Sequence, residues 1–94
     1  MGSWQEALGR AFREMARRTM HVVKTDKAFD FQSAQLAEAY VDGLAREAMR
    51  DGWLDDLVVL LRAKESNPKL GREDRDKAAA FRARVESIAR TPAA

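Results

Sequence analysis

The stretch from Asp51 to Leu70, DGWLDDLVVLLRAKESNPKL, sets a dense apolar run between two residues that interrupt helices. Gly52 suits the left-handed backbone that closes a preceding helix, while Pro68 keeps Asn67 out of the α region and has no N–H to donate. The run is therefore one short element with its own start and stop. Leu54, Leu57, Val58, Val59, Leu60 and Leu61 cover most azimuths of a helical wheel, as in a helix surrounded by others. Val58-Val59 has strand propensity, but Asp55-Asp56 ahead of the run and Arg62 and Lys64 behind it complement a helix dipole, so helix is the reading. Spanning a bilayer takes about 20 apolar residues, and this run is far shorter. It is expected to be the central helix of a bundle, enclosed by three amphipathic neighbours.

Those neighbours can be located. Ser3-Trp4-Gln5-Glu6 fits a capping box, and Trp4, Leu8, Phe12, Met15, Thr19 and Val22 then recur at spacings of three and four. A first helix to about Val23 follows. Lys24 to Asp30 contains the turn-type cluster Thr25-Asp26-Lys27 and reads as a connector anchored by Phe29 and Phe31. Asp30 or Ser33 is expected to cap a second helix whose face, Leu36, Ala37, Tyr40, Val41, Leu44, Ala45 and Ala48, is rich in small residues. A last helix starts near Arg72, carries Ala78, Phe81, Val85 and Ile88 on one side, and ends before Thr91-Pro92, with a frayed tail from about residue 91. With 94 residues, the whole chain reads as one helical domain, all-α, a compact bundle of four main helices that short turns could raise to five or six.

Chemistry finds little support. The chain has no cysteine and so no thiolate site, and its one histidine, His21, the sole candidate base for a Ser-His-Asp arrangement, reads as a structural residue near the end of the first helix; the expected cofactor and metal sets are none. The five glycines are scattered and make no phosphate loop. Asp55 and Asp56, being adjacent, point about 100° apart on a helix and do not converge as an acid/base pair. A non-catalytic protein is expected, without a membrane span or a signal-peptide core, and cytoplasmic by default.

Charge distribution says more than the net of +2. Up to Lys24 the chain carries Arg10, Arg13, Arg17, Arg18 and Lys24 against Glu6 and Glu14; from Thr25 to Gly52 it carries Lys27, Arg46 and Arg50 against Asp26, Asp30, Glu38, Asp42, Glu47 and Asp51. Arg10, Arg13, Arg17 and Lys24 fall within roughly a 60° sector outside the apolar stripe of the first helix. They are the candidate positive surface, with Glu38, Asp42, Asp55 and Asp56 as the negative one. A basic face and an acidic face suit head-to-tail association of copies or of like-folded domains. The same basic ridge admits an alternative, a small nucleic-acid-binding regulator, which the acidic second helix disfavours.

One segment carries a family resemblance. From Leu36 to Leu70, a helix ending in Gly52-Trp53-Leu54, followed by Leu57-Val58, then Asn67-Pro68 and Leu70, resembles bacterial effector-associated domains, which are death-fold-like adaptor modules. The turn Glu65-Ser66-Asn67-Pro68 keeps only the second half of the Pro-Gly-Asn-Pro turn such domains often show. The resemblance implies a death-fold-like bundle that couples a sensor to an effector in bacterial defence signalling. It also implies as partner a like-folded domain on a protease, TIR or NTPase protein, or a second copy of the chain.

Overall fold

A computed structural model of the chain describes residues Gly2 to Thr91; the end of the expected tail, beyond Thr91, lies outside them. The elements are α1 (Ser3–Lys27), a 3-10 turn (Ala28–Asp30), α2 (Ala34–Asp51), α3 (Leu54–Glu65) and α4 (Arg72–Arg90). No strand occurs among the described residues, so the all-α reading holds.

The boundaries follow local chemistry. Ser33 caps α2, its hydroxyl accepting from the Leu36 amide at 3.3 Å. Gly52 closes α2 with φ +81°, a conformation that a β-carbon makes costly. α3 stops at Glu65, and Asn67 organises the turn beyond it: its side-chain oxygen accepts from the Lys69 amide at 3.0 Å and its carbonyl from Leu70 at 3.2 Å. The expected capping box at Ser3 does not form. Gly2 occupies the cap position with no side-chain bond, and its carbonyl accepts from the Glu6 amide at 2.9 Å.

α4 lies against both α3 and α2, and Phe81 and Val85 from it join Ala37, Val41, Leu44, Ala45 and Ala48 of α2 and Leu57 and Leu61 of α3 in one core. Ala45, Ala48 and Ala78 are fully buried, which is how helices with small faces come close. Phe29 meets Phe81 edge-to-face at 5.2 Å, and Phe31 packs on Tyr40 at the same separation, so the connector's aromatics do anchor it.

Two expectations are corrected. α1 continues past Val23 to Lys27 because the polar cluster there finds helical partners: the Thr25 hydroxyl donates to the His21 carbonyl at 2.7 Å, and Lys24 pairs with Glu47 at 2.9 Å. α3, read as enclosed by three neighbours, buries Leu57 and Leu61 but leaves Val59 63 % exposed. α4 covers one side of it, and α2 and the C-terminal turns of α1 also touch it, His21 at Asp56 and Asp26 at Lys64, but the Val59 side is left open. The molecule is correspondingly long, 52 × 40 × 20 Å, with a radius of gyration of 15.5 Å where a compact chain of this length would have about 12 Å.

Truncation separates the two sides of α3. Leu61→Ala should cost about 2 to 5 kcal/mol through lost burial and the cavity left behind, whereas Val59→Ala should stay within about 0.5 kcal/mol. Urea denaturation of both variants reads the difference.

Candidate functional site

The feature without a role inside the bundle is the first two thirds of α1. Between Ser3 and Met20 no residue is buried, yet Trp4 is 65 %, Leu8 48 %, Phe12 61 % and Met15 63 % exposed. At 1.5 Å per residue this is an arm about 27 Å long. The periodicity of three and four found in the sequence is real; what it faces is solvent.

The arm is held by a joint at its C-terminal end. His21 and Thr25 are its buried residues. The His21 imidazole stacks on the Trp53 indole, ring centroids 4.1 Å apart and planes within 6°, and its Nδ1 lies 3.1 Å from an Asp56 carboxylate oxygen. On the other side the Tyr40 hydroxyl donates to the Lys24 carbonyl at 2.6 Å, burial pushing that phenol up from its ordinary range, with Glu47 adding to the effect. Lys64 reaches Asp26 at 2.8 Å. α1 is thus gripped by α2 and α3 along its last turns and projects freely before them.

On a regular wheel the stripe Trp4, Leu8, Phe12, Met15, Thr19 and Val22 and the sector Arg10, Arg13, Arg17 and Lys24 have centres roughly 180° apart. Flanking the stripe are mainly Gln5, Ala7, Gly9, Ala11 and Ala16, so the apolar-or-small surface is broad and Arg18 is its one charged intruder. At the joint the stripe runs into an open groove between α1 and α3, lined by Arg18, His21, Val22, Asp56, Val59 and Leu60.

The charged residues singled out from the sequence are divided by the structure. Arg17 and Arg18 share Glu14 at 3.5 and 3.6 Å, and Lys24 is engaged with Glu47. Among the described residues no carboxylate comes within ion-pair distance of Arg10 or Arg13. Of the acidic set, Asp42 takes both ends of the Arg84 guanidinium, at 2.5 and 2.9 Å, and Glu38 lies 3.7 Å from the same group. The hydrogen bond from Arg84 holds the Asp42 carboxyl below its usual range against the opposing effect of desolvation. Asp56 serves His21, and Asp55 stays exposed. Glu38 and Asp42 therefore tie α2 to α4, and the acidic face meant to complement the arm is largely neutralised by its own chain.

Residues read as carrying the family likeness are placed in the fold: Gly52 and Trp53 at the α2–α3 corner, Leu54, Leu57 and Val58 on α3, and Asn67, Pro68 and Leu70 in the turn before α4. Trp53 has a second task, as the stacking partner of His21, that its position beside Gly52 did not reveal. His21 had no readable partner either, since Asp56 is 35 residues away.

Two measurements test this division. Phe12→Gln, at low micromolar protein, should leave unfolding free energy within about 0.5 kcal/mol of the parent, while Trp53→Ala should cost about 3 to 5 kcal/mol. The second concerns pH. Because the folded Asp42 carboxyl titrates lower than in the unfolded chain, its pairing stabilises fully above the unfolded value of about 4 and is lost as pH falls through the folded one. Arg84→Ala should therefore lower the melting temperature at pH 7, with the gap to the parent narrowing as the pH falls below about 4.

Compared with protein-family models, with curated proteins and with solved structures, the chain matches none.

Proposed function

We infer that the chain is a non-catalytic protein-protein interaction module, which recruits or clusters an effector by association of helical domains. The observation that carries this is the stripe Trp4, Leu8, Phe12 and Met15, held out in water on an arm that adds nothing to the core. Contiguous exposed apolar surface of several hundred Å² on a small chain marks a place where another molecule sits. A helix with one apolar side is the shape that helix-in-groove and helix-on-helix recognition use. No helix among the described residues is long and apolar enough to cross a membrane. The likeness of Leu36–Leu70 to effector-associated domains supports placing the module in bacterial defence signalling, with a like-folded domain on a protease, TIR or NTPase protein as partner.

The nucleic-acid alternative draws on Arg10 and Arg13, which form no ion pair among the described residues. It would need phosphate contacts whose affinity falls steeply with salt. Both readings are tested by one photo-crosslinking experiment in bacterial cells, with a benzoyl-phenylalanine at position 12 and a control at position 72 on exposed Arg72. Protein adducts, to the chain itself or to another protein, are expected from position 12 alone. Nucleic-acid adducts, or none from a folded chain, would sink the reading.

A further inference from the structure

Resting on that reading of the arm, we propose that its occupant is a second copy of this chain, bound antiparallel, with Trp4 of each copy seated in the α1–α3 groove of the other. Three observations lead there. The first is position: Trp4 and Val22 lie five helical turns apart at nearly the same azimuth, and Val22 forms a wall of the groove with Val59 and Leu60. A two-fold axis crossing α1 between Phe12 and Met15 brings positions of equal azimuth together, Trp4 onto Val22, Leu8 near Thr19, Phe12 against Met15. Both ends of the stripe are then covered, and every contact is made twice, as an isologous interface requires.

The second is charge. The arm carries more Arg than Glu, which would oppose self-pairing if the charges faced each other. Arg10, Arg13 and Arg17 occupy the far side, and the surface between the copies consists of the apolar stripe flanked mainly by alanine and glycine, with Arg18, paired to Glu14 at 3.6 Å, as its one cation at the groove. Ala7, Ala11 and Ala16 allow the two helices to approach closely. Of the acidic residues that a different, acidic-faced copy contact would use, Glu38 and Asp42 are already held by Arg84 and Asp56 by His21. At the groove, the half-exposed Asp56 offers its carboxylate as an acceptor for an indole N–H.

The third is area. Each copy presents on the order of 600 Å² of exposed apolar side chain from Trp4 to Val22 together with Val59, so pairing would bury roughly 1,200 Å², the lower end of specific interfaces. A reversible, concentration-dependent dimer is the expected outcome, and because one two-fold contact occupies the stripe and groove of both copies, the pair is closed rather than a filament.

Sedimentation equilibrium from about 1 to 200 µM should show mass rising from 10.6 kDa toward twice that value. Trp4→Ala and Val59→Asp should each weaken the dimer at least about tenfold while far-ultraviolet circular dichroism and melting at low concentration stay unchanged. Orientation is read by a spin label at Gln5→Cys, the chain having no other cysteine. An antiparallel pair places the two labels about 24 Å apart or more, a parallel one about 10 Å. A folded chain that stays monomeric throughout, a short label distance, or sedimentation as a monomer on anionic vesicles each overturns the proposal. If position-12 crosslinks to another protein appear with no self-adduct, the interaction reading stands and this dimer falls.

Discussion

The structure depends on α4 lying in contact with α2 and α3 at once. Phe81 and Val85 can do this because the α2 face offers alanines at 37, 45 and 48, letting the backbones close up while Leu57 and Leu61 fill the third side. That arrangement closes the core with residues from Ala28 onward. Nothing before His21 is drawn in, so the first helix is left with an apolar face and no internal surface to put it on. Small-residue packing is what decides this: bulkier α2 side chains would have spread the helices and opened room for a fourth apolar face.

How much of this was legible in the sequence divides along the same line. Signals that act within a turn were readable: Gly52 at positive φ, Pro68 after α3, Ser33 as the cap of α2, the start of α4 near Arg72. Those that depend on a distant partner were not. Thr25-Asp26-Lys27 has turn composition, yet it stays helical because Lys24, Asp26 and the Lys24 carbonyl are each met by another element. Periodicity announced the stripe on α1 and the many-sided apolarity of α3, but period describes a face and is silent about what covers it. Val59 looked central for that reason and is mostly in water.

Charge shows the same limit. Counting residues gave a positive first segment and a negative second, and the count is correct. The structure then assigns Asp42 and Glu38 to Arg84, Glu65 to Arg82, Glu86 to Arg62 and Arg82, and Glu47 to Lys24, with Asp42, Glu65 and Glu86 each held below the usual carboxyl range chiefly by a hydrogen bond, from Arg84, Arg82 and Arg62 respectively. Pairs that join helices cannot also be a docking face without first being broken. The candidate site accordingly moves from the charged residues to the apolar stripe opposite them, with Arg10 and Arg13 on its far side.

The joint lets the arm stand clear of the core without taxing the fold. His21, stacked on Trp53 and bonded to Asp56, fixes the angle at which α1 leaves the bundle, and it sits at the floor of the groove where the stripe ends. A rigid departure matters because a helix that swung freely would lose more orientational entropy when its stripe was covered. Helix formation in the arm itself is only weakly supported by contacts within the chain, and isolated helices of this length are marginal in water. Covering the stripe would therefore order the arm and bury its apolar face in the same event, so the arm's stability and its binding are two readings of a single equilibrium.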